Sequence, residues 1–364
     1  MDCPDRERAQ WWGDVVNELG EAFYALDEKA HLLTRKGIHE LMGWQRADST
    51  IFAPVPAGNY KDELPMQMLA SVSHYGFWTY YMGTGDQQTI ADVLPRVKKY
   101  IHVWKTDAQG LVIPRSDGWT WGDWGENKDM TLLFNLWYAI ALKGYEEMNQ
   151  LAGEAEEAAW ARTTADKLRK EFHRTFWNGK YYVSPGYQGK PDDRAQALAV
   201  VSGVLPKELY PVIRPFFSTW YHASPYMEKY VLEALCTMGY YQDALNRMKL
   251  RYSAMIESPL TILSQYIAGI ETLEPAFRTF RVAPHPAHLN FIRTQVPLSG
   301  GRRIVFEMDK SAHGGTMYLR VPEGTSAQVV LPAEFQRWSV NGELKNERQL
   351  TLAAGEWHFE MSEK

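Results

Sequence analysis

The sequence predicts a mainly α protein: a double ring of helical hairpins followed by a C-terminal β-sandwich. Two observations carry this expectation. From about residue 10 to about 268, apolar residues recur at helical spacing, in segments that alternate between apolar all round and striped on one face. After about Phe277 the texture changes to short runs separated by Gly, Pro and Asn, the signature of short strands and tight turns. An all-apolar helix is buried and a striped helix lies outside. Alternation of the two builds an inner and an outer layer.

The helical segments follow in order. "GDVVNELGEAFYALD" and "KAHLLTRKGIHELMGW" come first, then "LPMQMLASVSHYGFWTYYMG" and "DQQTIADVLPRVKKYIHVW". "DMTLLFNLWYAIALKGYEEMNQLAG", "EEAAWARTTADKLRKEFHRTFW" and "DDRAQALAVVSGV" are next. "PKELYPVIRPFFSTW", "PYMEKYVLEALCTMGY", "YQDALNRMKLRYSAMI" and "PLTILSQYIAGI" complete eleven candidates. The segments beginning at Leu64, Met130, Ala195 and Met227 are of the inner kind. Six hairpins need twelve helices, and the first candidate is itself an inner one. The twelfth is expected to precede Met1. The strands run from "FRTFRVAPHP" to "EWHFEMS", and "VNGE" reads as a tight hairpin because Asn-Gly tolerates positive φ at both turn positions. The expected domains are therefore 1–276, helical, and 277–364, a β-sandwich.

Composition narrows the function. The net charge is -5 and no Lys/Arg run occurs, which argues against a nucleic-acid surface. No apolar run is long enough to span a membrane. Two cysteines, Cys3 and Cys236, make neither a disulfide framework nor a zinc site, so thiols are expected and no metal. The charged first residues do not form a signal peptide. The expectation is a cytoplasmic protein, or one whose true N-terminus is missing. The 14 Trp and 20 Tyr fit a large aromatic core, and equally a carbohydrate cleft with flat rings against sugar faces.

Three segments could carry chemistry. The opening "MDCPDRERAQWWGD" holds Asp2, Glu7 and Asp14 with Trp11 among them. Cleaving an acetal at neutral pH needs a protonated carboxylic acid and a second carboxylate. Crowding three acids in one loop at the mouth of a helical ring raises the pKa of at least one. Asp14 taken alone is equally a helix N-terminal acid. The second segment, "DGWTWGDWGEN", sits between an outer and an inner helix, at the rim. Trp119, Trp121 and Trp124 could stack on sugar there, and Asp123 could bind hydroxyls. The bland alternative is a packed loop. In the third, "GYQGKPDDRAQALA", Asp192 or Asp193 is an N-cap. Arg194 is a structural ion pair or a hydroxyl donor. Glu228 and Glu233 lie on an apolar inner helix, where a carboxylate faces the cavity or pairs with a buried Arg.

The opening "DCPDRERAQWWGD" resembles the "DCP-x-RE-x-x-x-W-x-GD" signature of the α-L-rhamnosidases of glycoside hydrolase family 78. "WTWGDWG", "DDRAQALAVVSG", "YMEKYVLEALC", "PLTILSQYIAGI" and "LEPAFRTFRVAPHP" resemble later segments of that family, in the same order, across essentially the whole chain. The resemblance implies an (α/α)6 toroid of six-hairpin glycosidase type, its first helix missing, followed by a β-sandwich. It implies inverting hydrolysis of terminal α-L-rhamnosides without a cofactor, on a rhamnose-containing glycoside or oligosaccharide. By position, Glu7 matches the general acid. Asp2 and Asp14 match acids that bind rhamnose hydroxyls, and Trp11 matches a sugar-contacting indole. The Trp119–Trp124 loop matches another wall of the sugar site.

Two departures accompany the resemblance. The family carries β-sandwich domains and a first barrel helix ahead of the signature, whereas here Met1 stands directly before it. The family also carries a base-bearing loop with "TLWE"-like and "NHAW"-like motifs, whereas here "RYSAMIES" runs straight into "PLTILSQYIAGI". Glu257 is the only carboxylate at that junction. The expectation is an acid/base pair of Glu7 and Glu257 with weak turnover. The rivals are a non-catalytic sugar-binding remnant and an incomplete fragment of a longer protein.

Overall fold

A computed structural model describes residues 8–56, 63, 65–115, 119–253, 259–311 and 313–362. Asp2, Cys3, Glu7 and Glu257 lie outside the described residues. The helical part comprises α1 (Trp12–Ala25), α2 (Glu28–Gly43), α3 (Pro65–Ser71), α4 (Thr79–Thr84), α5 (Gln87–Ile101) and α6 (Met130–Ala152). It continues with α7 (Ala155–Phe176), α8 (Asp193–Val201), α9 (Tyr210–Ile213), α10 (Pro225–Thr237), α11 (Tyr241–Arg251) and α12 (Pro259–Thr261).

The inner helices are those with apolar residues on every side. In α6 an unbroken run from Leu132 to Leu142 is buried, and in α8 everything from Asp193 to Val200 is. Neighbouring inner segments pack pairwise: α1 on α3, α3 on α6, α6 on α8, α8 on α10, and α12 back on α1. The π-helical turn Ile262–Ile267, continuous with α12, packs on α10 and completes the circuit. The striped helices α2, α5, α7 and α11 bury one face only. In α7 that face is Ala158, Ala161, Ala165, Leu168, Phe172 and Phe176, at spacings of three and four.

The third sequence segment is not one helix. It breaks into α3, a π-helical turn His74–Trp78 and α4. The cause is local competition for backbone acceptors. The Trp12 indole donates to the Ser71 carbonyl at 2.9 Å, and the Ser71 and Ser73 hydroxyls donate to the carbonyls four residues back. The ladder then resumes one residue longer, with the Trp78 amide on the Ser73 carbonyl. A Cβ at Gly76 would sit 1.7 Å from the Ser71 carbonyl oxygen, so only glycine fits. The eighth segment also differs. Residues 207–218 form short 3-10 and α turns, because Pro211 and Pro215 remove ladder donors.

Twelve strands are described. The paired dipeptides β1 (Gln10–Trp11) and β2 (Pro54–Val55) lie in the helical part. The rest form two sheets: β3 (Ile270–Thr272), β4 (Thr279–Val282), β5 (Phe291–Pro297), β6 (Arg303–Lys310) and β7 (Gly314–Val321). They continue with β8 (Ser326–Val330), β9 (Arg337–Val340), β10 (Glu343–Lys345), β11 (Gln349–Leu352) and β12 (Gly355–Ser362). One sheet has the order β10-β9-β12-β7-β6-β5, the other β11-β8-β4-β3 with β4 and β8 parallel. Their inner faces share a core containing Phe280, Phe306, Leu319, Val329, Trp338 and Phe359. The expected hairpin joins β9 to β10, with Asn341 at φ 50° and Gly342 at φ 83°. Helix α1 reaches this second core: Tyr24 is part of it, and its hydroxyl donates to the Ile270 carbonyl at 2.9 Å.

Candidate functional site at the ring mouth

The N-terminal ends of α1, α6, α8 and α10 converge at one pole of the ring. Trp11 and Trp12 divide their labour there. Trp12 is fully buried and holds α1 to α3. Trp11, the N-cap residue of α1, is pinned opposite Pro54 by the β1–β2 pairing and turns to the other side. Its ring meets Trp119 edge-on at 6.2 Å. Trp119 lies 6.0 Å from Trp121, which is 5.4 Å from both Trp124 and Tyr226. Five aromatic rings thus form one continuous wall. Trp124 is 65% exposed and Trp119 37%, which is unusual for indoles and leaves faces open to a ligand.

Asp14 lies exposed in the first turn of α1, beside this wall. Tyr226 links the two helices, since its hydroxyl donates to the Gly13 carbonyl at 3.4 Å. Its phenol is pushed well above its ordinary pKa, first by burial and then by the charges of Tyr230, Asp14 and Asp123. Trp11, Asp14, Trp119, Trp121 and Trp124 are therefore brought together at one place. The structure describes nothing at Asp2, Glu7 or Glu257.

Asp123 has a different setting from its neighbours. It is 1% exposed, and its two oxygens accept from the Ser224 amide at 2.9 Å, the Ser224 hydroxyl and Arg194 Nη1 at 3.0 Å. At this burial the carboxylate presents no open face to a sugar hydroxyl. Its carboxylate shapes the loop that presents Trp119, Trp121 and Trp124.

Arg194 resolves to the structural alternative. It is fully buried and every donor is used: Nε to Asp192 at 2.7 Å, Nη1 to Asp123 and the Trp124 carbonyl, Nη2 to the Glu126 and Asn127 carbonyls at 2.6 and 2.9 Å. The planar fork thereby clamps the Trp loop to the start of α8. Asp192 is the N-cap of α8, accepting from the Arg194 amide, and also accepts from the Asp129 amide at 3.0 Å. Burial raises its pKa to about 6. Asp193 and Glu228 grip Arg247 from two sides, with Asp193 Oδ2 2.7 Å from Nη2. Glu228 is thus the buried Arg partner, and Glu233 instead lines a cavity deeper in the ring. Nothing in the sequence distinguished these buried clamps from ligand-facing charges.

Among the described residues no group of three His, Cys, Asp or Glu is placed to hold a metal ion. No helix among them is long and apolar enough to cross a membrane. A groove of about 600 Å³ between α1 and α2 is lined by none of the indoles of the wall.

The sequence model of the bacterial alpha-L-rhamnosidase 6 hairpin glycosidase domain matches residues 1–215, and that of the bacterial alpha-L-rhamnosidase C-terminal domain matches residues 269–344. A curated alpha-L-rhamnosidase of Streptomyces avermitilis is 33% identical over 132 residues, 36% of this chain and 12% of that protein. The structure of an alpha-L-rhamnosidase from Dictyoglumus thermophilum superposes with a TM-score of 0.85 at 17% identity, covering 100% of this chain and 47% of that one. The Streptomyces avermitilis alpha-L-rhamnosidase complexed with L-rhamnose gives 0.77 at 19% identity, covering 99% of this chain and 39% of that one. At these identities the solved structures establish the fold, and the chain spans less than half of their length.

Proposed function

The chain belongs to the bacterial α-L-rhamnosidase six-hairpin glycosidase family, and from that premise we propose that the aromatic wall at the ring mouth holds a terminal α-L-rhamnosyl residue for hydrolysis. The observation that carries the proposal is the convergence of Trp11, Asp14, Trp119, Trp121 and Trp124 at one pole. Indole faces pack on the apolar side of a pyranose, and an exposed carboxylate accepts from its hydroxyls. Asp2 is the second hydroxyl-binding acid of this reading.

The chemistry we assign is inversion. Glu7, protonated, donates its proton to the leaving glycosidic oxygen as the bond to the anomeric carbon breaks. Glu257 as the base takes a proton from the water that attacks the opposite face. This requires carboxyl groups roughly 6.5–9.5 Å apart. No cofactor enters either step. The missing "TLWE"-like and "NHAW"-like motifs favour slow turnover, and in the limit a site that binds sugar without cleaving it.

The test is release of L-rhamnose from an alkyl α-L-rhamnoside, whose alkoxide leaving group needs a proton, by the wild type, Glu7→Gln and Glu257→Gln. We expect weak turnover, reduced about 10²–10⁴-fold by either change. Turnover unaffected by Glu7→Gln removes Glu7 as the acid. An absence of turnover with rhamnose binding intact selects the binding reading.

A further inference from the structure

A second cavity lies deeper in the ring, on the far side of an aromatic plug. Tyr75, Trp137 and Tyr230 meet edge-to-face at 5.0, 5.1 and 6.5 Å across the ring axis. Tyr226, on the mouth side, is one helical turn before Tyr230 on α10, so the plug separates the mouth from what lies behind it. Behind it is a cavity of about 230 Å³ bounded by α1, the π-helical turns, α10 and β3.

Two polar groups of this cavity, Lys229 and Thr261, have no direct polar partner among the described residues. Lys229 is 4% exposed and lines it. Its ammonium stands 5.5 and 5.6 Å from the ring centres of Tyr75 and Tyr230, and no ion pair of it is found among the described residues. A buried ammonium costs several kcal/mol unless it is paired. The Thr261 hydroxyl, also buried, has no partner among the described residues. Glu233 and Glu271 line the same space, with the Tyr266 hydroxyl and the Trp78 indole.

We propose that this cavity is a second ligand site, for a small neutral polyol of monosaccharide size. The charge balance selects the class. The ammonium faces the Glu233 carboxylate, and Glu271 is already paired with Arg281 at 3.1 Å, so the lining has no spare positive charge and an anion gains little. A hydroxyl accepts from Lys229 and donates to Glu233 in one move, joining two groups that do not reach each other. Thr261 and Tyr266 supply further hydroxyl partners, and Trp78 an apolar face. The volume, below that of ordinary drug-sized pockets, admits one ring and no oligosaccharide. The site does not depend on the reading of the mouth, since it shares no side chain with the aromatic wall there.

The experiment is an L-rhamnose titration by saturation-transfer NMR, with sodium acetate as competitor. It compares the wild type, Trp11→Ala, Lys229→Met, Glu233→Gln and the Trp11→Ala/Lys229→Met and Trp11→Ala/Glu233→Gln double variants. We expect saturable binding to persist in Trp11→Ala, to weaken about tenfold or more in the double variants, and to resist acetate; that loss is one charge-assisted hydrogen bond. Lys229→Met removes a buried charge that has no ion pair among the described residues, so its melting temperature should stay close to that of the wild type. If it does not fold, Trp11→Ala/Glu233→Gln, which keeps the shape, decides by the same loss. No residual binding in Trp11→Ala, residual binding indifferent to Lys229 and Glu233, or displacement by acetate overturns the proposal. Binding unchanged in Trp11→Ala but lost in Lys229→Met would instead refute the mouth and leave this site standing.

Discussion

Replacing Arg194 by Lys tests whether the Trp loop is held by the guanidinium fork or merely by charge. Arg194 spends five donor contacts on Asp192, Asp123 and the carbonyls of Trp124, Glu126 and Asn127. An ammonium has three protons and no planar fork, so at least two of these five acceptors lose their donor. Each buried acceptor left unmet costs about 1–3 kcal/mol. Two give about 2–6 kcal/mol, in line with the roughly 3–5 kcal/mol for breaking a buried pair. Asp123 keeps its two Ser224 donors, so the damage should centre on residues 124–127. Hydrogen exchange read by mass spectrometry should show amides of residues 119–129 exchanging much faster in Arg194→Lys, while those of α7 hold. Denaturant unfolding should show a loss of about 3–5 kcal/mol. Unchanged exchange in this loop and a stability change below about 0.5 kcal/mol, the range of a neutral surface change, would refute the clamp.

Two further outcomes follow from particular contacts. Gly76→Ala forces a methyl onto the Ser71 carbonyl and should cost about 3 kcal/mol or more, seen as a lowered melting temperature. His285 is stacked on Tyr241 at 3.8 Å between the helical and sheet regions, and burial pushes its imidazole down to about 4. The native state therefore binds fewer protons than the unfolded chain between pH about 6.5 and 4. Stability is fully present above that window and is lost as pH falls through it, by at most about 3 kcal/mol, less because the ring is partly solvated. Thermal melts at pH 7.5 and 5 should show a smaller acid loss in His285→Phe than in the wild type.

The inner and outer helices were legible because burial on all sides leaves an unmistakable composition, as in α6, and a one-sided stripe leaves another, as in α7. The strands and the Asn341-Gly342 turn were legible for the same local reasons. The break in the third segment was not. It depends on the Trp12 indole reaching the Ser71 carbonyl, 59 residues away. Strand β3 was missed because three residues paired to β4 carry too short a pattern. At the candidate site, the aromatic residues stand out in the sequence by their density in a polar loop. The roles of Asp123 and Arg194 do not, because a buried clamp and a ligand-facing pair use the same residue types. Only tertiary distance separates them. Lys229 drew no attention in the sequence, since one lysine on an apolar helix looks like a surface charge.

The claim at the centre of this account is that the indole wall at the ring mouth holds L-rhamnose. Its most direct measurement is an L-rhamnose titration followed by tryptophan fluorescence, on the wild type and on Trp11→Ala. A saturable change in the wild type, weakened in Trp11→Ala by about 1–3 kcal/mol, the worth of one buried aromatic face, is the predicted result. A fluorescence change of the same affinity in both proteins, or none in the wild type, would contradict it.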